Sequence, residues 1–220
     1  MTERNSNVIN IFPTKIGHYT LCNQNRDYIK RVCRDIIDSP YNENHTRKSN
    51  NGYITHYFDP IVGNHSLIDN TKFEGFHKWI KQCSLDYIKN TLGYDCENVV
   101  VVNCWINKCS RGGRQLPHNH ANSFISGTYF VNFVPGIHSP LLFEKTLFSN
   151  RPHMNMDPNH DTGSHNVIGV EHEEGSLLLW ESHLTHLYDE NNEDDRISIS
   201  FNVMPETISR AGYGFKLTRL

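Results

Sequence analysis

The second half of the chain is a succession of short strand-like runs. Asn98–Asn107, Phe124–Phe133, Ser139–Lys145, Gly175–Trp180 and Arg196–Val203 are rich in β-branched and aromatic residues and are separated by clusters of Gly, Pro, Asn and Asp. Such residues fit a pleated, half-buried surface, and the clusters between them supply turns, so the pattern predicts a β-sandwich or small barrel. The first half has a different period. Tyr28, Ile29, Val32, Cys33, Ile36 and Ile37 recur at helical spacing over Asn25–Ile37. A second helix is expected over Lys72–Thr91, with Phe73, Phe76, Ile80, Cys83, Tyr87 and Ile88 on one face. Asp69 or Thr71 would cap its start, and Gly93 follows its end. Val8–Phe12 reads as a short strand ended by Pro13. The expectation is one α+β domain over residues 1–220, mainly helical over 1–97 and β over 98–204, with the two helices bracing one sheet. Two polar stretches, Tyr41–Gly63 and Ser149–Glu174, read as loops, the second long enough to act as a lid.

Composition removes several function classes. The net charge of -3 argues against nucleic-acid binding through a generally basic surface. No apolar run approaches the roughly 20 residues that a membrane span needs. The N-terminal Met-Thr-Glu-Arg-Asn-Ser-Asn has no apolar signal core, which points to the cytoplasm. Six cysteines are scattered without a Cys-x-x-Cys pair and read as reduced thiols. Nothing in the sequence fixes the oligomeric state; a dimer is compatible with it.

Histidine is abundant, at 14 residues, and two of these carry the chemical argument. In Pro117-His118-Asn119-His120, one residue separates the histidines. On an extended segment both rings then lie on one face and can reach one metal ion. The best candidate for a third ligand is His186, in Trp180-Glu-Ser-His-Leu-Thr-His186, with His183 as the competing choice. Ten residues further on, Arg196-Ile-Ser-Ile-Ser-Phe-Asn202 alternates, with Ile197, Ile199 and Phe201 on one face and Arg196, Ser198, Ser200 and Asn202 on the other. A buried Arg beside a Ser hydroxyl suits a small carboxylate, which the guanidinium fork grips through two hydrogen bonds. Metal ligands beside a carboxylate clamp meet the needs of 2-oxoglutarate, whose keto-acid end chelates iron while its distal carboxylate seeks a cation. Taken singly, each piece has a plainer reading. His-x-His pairs are often solvated, Arg196 follows three acids that would pair with it at a surface, and Tyr129 is as well suited to a core. The histidines at 153, 160, 165 and 172 read as solvated loop residues.

In order, these pieces resemble the 2-oxoglutarate-Fe(II) oxygenases common in marine bacteria and their phages, which are related in fold to prolyl hydroxylase-like oxygenases. The resemblance is carried by Cys104-Trp-Ile-Asn107, His118-Asn-His120, Ile125-Ser-Gly-Thr-Tyr-Phe130, Gly175–His186 and Arg196–Asn202, with weaker matches at Ile11-Phe-Pro-Thr and Ser49-Asn-Asn-Gly-Tyr. It implies a double-stranded β-helix of the jelly-roll, cupin-like type. It also implies Fe(II) held by His118 and His186, with Arg196 and Ser198 on the distal carboxylate of 2-oxoglutarate and Tyr129 or Asn107 adding a hydrogen bond. O2 would be the second co-substrate, with succinate and CO2 released. The wider superfamily has Asp or Glu where this chain has His120. The implied metal set is therefore three histidines, which also suits Zn(II). Trp105, Phe130, Phe143 and Trp180 are candidate pocket walls. The substrate would be a small molecule or a protein side chain. Two other readings compete: a three-histidine dioxygenase that does without 2-oxoglutarate, and a non-catalytic jelly-roll module with a structural metal.

Overall fold

A computed structural model of the chain describes residues 13–39, 46–49, 52–58, 66–67, 70–145 and 167–218. Among these residues the strands form a seven-stranded and a four-stranded antiparallel sheet facing each other, plus a two-stranded hairpin. The larger sheet runs in the order β1 (Gly17–Thr20), β9 (Ser176–Glu181), β6 (Ile125–Asn132), β11 (Arg196–Pro205), β4 (Val99–Cys109), β3 (Ile54–Tyr57), β2 (Thr46–Lys48). The smaller runs β5 (Gln115–His118), β10 (Thr185–Tyr188), β7 (Leu142–Glu144), β8 (Val167–Gly169). The hairpin β12 (Thr207–Arg210) and β13 (Tyr213–Lys216) follows β11. With its helices on one side, this is the expected α+β double-stranded β-helix. No helix among the described residues is long and apolar enough to cross a membrane.

The two helices cover the outer face of the larger sheet. α1 (Asn23–Ile37) buries Ile29, Val32, Cys33 and Ile36, and α2 (Glu74–Asp86) buries Phe76, Ile80 and Cys83. Their apolar stripes meet Ile125, Tyr129, Val131, Ile197, Ile199 and Phe201 in one core. Of the expected caps of the second helix, Asp69 lies outside the described residues and Thr71 does not serve. Asn70 accepts the Lys72 N–H at 3.0 Å and starts a 3-10 turn over Thr71–Phe73, which runs into α2. A π turn over Tyr87–Thr91 ends it. A second apolar cluster, Phe130, Phe133, Leu141, Leu178 and Trp180, fills part of the space between the sheets.

The N-terminal part is less helical than its periodicity suggests, because it also supplies β1, β2 and β3 to the larger sheet. These strands are three or four residues long, too short to show a period. The Val8–Phe12 strand expected from the sequence lies outside the described residues. So does most of the Ser149–Glu174 stretch, but its end forms β8, which pairs with β7. All six cysteines are free thiols.

One local irregularity decides what the barrel interior contains. Along β4, Val99 and Val101 belong to the helix-side core, but so do Cys104 and Ile106. The switch in phase is a β-bulge. Asn202 pairs with Asn103 and Val203 with Val101, so Val102 is the extra residue. The bulge turns Asn103, Trp105 and Asn107 into the barrel.

Candidate metal and carboxylate site

Between the sheets lies a cavity of about 660 Å³. The smaller sheet brings His118 and His186 to it as directly opposed residues of β5 and β10. His120 sits just past the end of β5, its backbone N–H bound to the Ser182 carbonyl at 2.9 Å. One ring nitrogen from each of the three histidines lies within 4.8 Å of the others. His183, the competing choice, is exposed and outside this group.

The tautomers of two of these rings follow from their partners. His118 Nδ1 is 2.9 Å from the Leu116 carbonyl, and His186 Nδ1 is 3.0 Å from the Leu184 carbonyl. A carbonyl oxygen only accepts, so both Nδ1 atoms carry a proton and Nε2 is left as the nitrogen able to ligate. Metal-binding histidines are held in this way, by a hydrogen bond from the ring nitrogen that does not ligate. Burial keeps the His186 and His120 rings neutral. It lowers His186 to about 3 and His120 to about 4, and in each case the neighbouring His118 adds to the effect. Three imidazoles at this spacing fit a divalent transition metal. None of the described residues lining the cavity is Asp or Glu, so these residues offer no carboxylate to complete a two-histidine, one-carboxylate set.

Arg196, the first residue of β11, is 2% exposed. Its Nε donates to the Ser139 carbonyl at 3.0 Å, and its guanidinium carbon lies 4.3 Å from the centre of the Tyr188 ring. Phe130 and Phe133 wall it in at 5.7 and 5.8 Å. The preceding acids are committed elsewhere: Glu193 to Arg111 at 2.7 Å, Asp195 to Arg34 at 2.5 Å, and Asp194 to the Arg111 N–H at 2.9 Å. Asp195 adopts a left-handed backbone (φ 66°), and Asn132 donates to its carbonyl at 2.6 Å. That turn directs the Asp195 carboxylate outward to α1 while Arg196 enters the barrel. Burial pushes the pKa of the guanidinium down, opposed by Tyr188 and Cys109. No carboxylate among the described residues pairs with it. A buried guanidinium without a counter-ion is costly and calls for an anionic ligand.

Ser198 and Ser200 continue the cavity face of β11, as the alternation predicts. Asn107 lies opposite Ser198 on β4, but its amide is already engaged. Its Oδ1 accepts from His56 Nδ1 at 2.6 Å and from Trp105 Nε1 at 2.9 Å, and its Nδ2 donates to Ser200 at 2.9 Å and Ser198 at 3.4 Å. It organises the cavity floor and has no amide proton left over for a co-substrate. The expectation for Tyr129 fails outright. Odd-numbered residues of β6 face the helices, and the Tyr129 ring packs on Phe76 and Trp79 at 5.1 and 5.9 Å. Of the candidate walls, Trp105 and Trp180 line the cavity, whereas Phe143 backs Trp180 at 5.4 Å and Phe130 lies beneath Arg196. His172 is not a solvated loop residue. It is buried and stacks on Phe130 at 3.7 Å. His153, His160 and His165 lie outside the described residues. Sequence reasoning missed His56 and Tyr188, since neither sits in a pattern that marks it.

Residues 103–202 match the model of a family described as "Putative 2OG-Fe(II) oxygenase". No curated protein matches the sequence. Similar solved structures include the non-haem alpha-ketoglutarate-dependent epimerase SnoN from nogalamycin biosynthesis. It has a TM-score of 0.61 at 14% identity, covering 88% of this chain and 77% of that one. HygX from Streptomyces hygroscopicus, solved with nickel, 2-oxoglutarate and hygromycin B, gives 0.58 at 9% identity over 87% and 83%. A Pseudomonas putida prolyl-4-hydroxylase gives 0.55 at 9% identity over 87% and 93%. The segment that builds the histidine cluster and the buried guanidinium thus matches the 2OG-Fe(II) oxygenase family, and the fold around it is the fold of those solved structures.

Proposed function

We propose that the chain is an Fe(II)- and 2-oxoglutarate-dependent dioxygenase that hydroxylates a small molecule or an accessible protein side chain. The observation that carries this reading is the buried, carboxylate-free guanidinium of Arg196 in the same cavity as three inward-facing histidines. His118, His120 and His186 would hold the iron through their free ring nitrogens. Bound iron would supply the oxidising chemistry, with O2 and 2-oxoglutarate consumed and succinate and CO2 released.

The protein's own part is to bind, orient and exclude water. Arg196 presents its terminal N–H groups to the distal carboxylate, and the Ser198 hydroxyl, steadied by Asn107, stands beside it. Tyr188, Phe130 and Phe133 keep water from the ion pair, which strengthens it. The substrate body would lie against Trp105, Leu187 and Trp180. Similar folds are seen with both kinds of molecule bound, hygromycin B in HygX and a peptide fragment in a Trichoplax adhaerens prolyl hydroxylase. One prints epimerase as its activity, so the fold leaves the oxidative outcome open.

The test is an anaerobic titration with Fe(II) and 2-oxoglutarate, followed by the visible charge-transfer band. The wild type is expected to show the band, and His186→Ala to lose it. Arg196→Ala is expected to weaken 2-oxoglutarate at least about 30-fold, since breaking a buried charge pair costs roughly 2–5 kcal/mol. No band at saturating iron and 2-oxoglutarate would discard this reading in favour of a three-histidine dioxygenase that takes its substrate directly, or of a structural-metal module.

A further inference from the structure

We propose that the mouth of the cavity binds an anionic group of the primary substrate, a carboxylate or a phosphate monoester, through Lys48 and Arg114. Acidic residues outnumber basic ones in the chain, 24 to 21, yet none of the described lining residues is acidic. Among the described residues, three permanent cations line the cavity: Arg196, which is buried, and Lys48 and Arg114, which are exposed at the rim. Other cations near the site are neutralised, Arg34 and Lys108 by Asp195 and Arg111 by Glu193. Lys48 and Arg114 have no ion-pair partner among the described residues.

The two cations come from different segments that are fixed to each other. Lys48 ends β2, whose turn into β3 is closed by the Ile54 N–H donating to Ser49 Oγ at 3.1 Å and by Ser49 N–H donating to the Ile54 carbonyl at 2.8 Å. Arg114 ends the loop after β4. That loop is tied to the β2–β3 turn by Ser110 N–H donating to the Tyr53 carbonyl at 2.9 Å. Gly113 packs so closely on Tyr53 that a β-carbon there would lie 3.2 Å from the Tyr53 Cβ. Further bonds, Gly113 to Ser110 at 3.0 Å and Gly112 to Asn191 at 2.7 Å, hold the loop. The rim therefore presents two positive charges from a braced frame, and little ordering remains to be done on binding. Beside them, Leu116 is 64% exposed, and Trp105 and Leu187 continue an apolar wall toward the histidines. A substrate with an anionic head and an apolar or aromatic body matches this sequence of surfaces, whereas a cationic one would meet like charge.

The inference rests on the oxygenase reading in one respect: with Arg196 reserved for 2-oxoglutarate, a second anion must use the rim. The full chain, loaded with Zn(II) and 2-oxoglutarate, would be titrated with phenyl phosphate, benzoate, benzyl alcohol and benzylamine. Binding would be followed by nuclear magnetic resonance at the backbone amides of Lys48, Arg114 and Leu116. At least one anion is expected to bind about tenfold tighter than the alcohol or the amine, the scale of two exposed ion pairs acting together. Lys48→Ala/Arg114→Ala, both at exposed positions, should erase that preference and leave 2-oxoglutarate affinity unchanged. The order of phosphate and benzoate then names the anionic group. Equal binding of the neutral or cationic probes would overturn the proposal, as would a preference that survives in the double variant or no binding of any probe at millimolar concentration. If 2-oxoglutarate itself fails to bind while the rim's preference persists in the zinc-loaded protein, the oxygenase reading falls and the anion site stands.

Discussion

Trp105 and Asn107 lie two residues apart on the same face of β4, and the indole N–H of the first donates to the amide oxygen of the second at 2.9 Å. An indole nitrogen can only donate, so this bond fixes which way the Asn107 amide points. Its nitrogen then faces Ser198 and Ser200, the two hydroxyls nearest Arg196 in sequence on the cavity face.

Asn107→Leu keeps the volume and removes the network. His56 and Trp105 lose this acceptor, at about 1–3 kcal/mol for each buried group left unmatched. Both rings are partly exposed, so the expected loss of stability is at the lower end, about 2 kcal/mol in urea unfolding. 2-Oxoglutarate affinity should fall with it, since Ser198 loses its anchor, while Zn(II) affinity should hold because none of the three proposed histidine ligands contacts Asn107. A variant with unchanged 2-oxoglutarate affinity would show that Asn107 serves stability alone.

The proposed three-histidine set would bias the choice of metal. Neutral ligands leave a divalent ion its full charge, and at such a site zinc outcompetes iron. His120→Asp should tighten Fe(II) by about tenfold. That is a fraction of the roughly 4 kcal/mol two unit charges exchange at 4 Å in a partly screened site. Competition with a calibrated chelator measures it. In the same assay His186→Ala should abolish metal binding, and His183→Ala should leave it unchanged.

Gly127 sits on the helix-facing side of β6, where a β-carbon would lie 2.5 Å from Phe201 and 2.7 Å from Leu179. Both side chains belong to the buried core, so neither neighbour can move away freely. Gly127→Ala is expected to cost about 1–3 kcal/mol through overpacking, read as a lowered melting temperature. Gly75, at an open position on α2, is the control: Gly75→Ala should be neutral or slightly stabilising.

His172 makes stability depend on pH. Burial lowers it to about 4, with a further push from Arg196, while its Nδ1–H donates to the Val170 carbonyl at 2.7 Å. The folded protein thus holds this ring neutral where the unfolded chain, near 6.5, would protonate it. The unfolded state binds more protons between those values, so the contribution is intact above about pH 6.5 and is lost as pH falls toward 4. The loss is at most about 3 kcal/mol. His172→Phe should flatten this part of the wild-type stability profile; parallel profiles for the two proteins would refute the assignment.

Much of this protein follows from periodicity and spacing, which are local properties. Alternation over Arg196–Asn202 fixes which side chains share a face, and helical spacing over Asn25–Ile37 fixes the stripe that α1 buries. Which face becomes the cavity is not local. Tyr129 and Thr128 alternate equally well either way, and only the packing of Phe76 and Trp79 on one side of β6 sends the tyrosine to the helices. Likewise the single extra residue Val102 reverses the phase of β4, turning Trp105 and Asn107 inward, and no composition signal marks it. The choice of His186 over His183 depends on β10 pairing with β5, a contact between segments about 70 residues apart. The commitment of Glu193, Asp194 and Asp195 to other partners likewise depends on α1 and the loop after β4. Sequence names the residues able to bind a metal and a carboxylate; tertiary pairing decides which of them are brought together, dried and left without another partner.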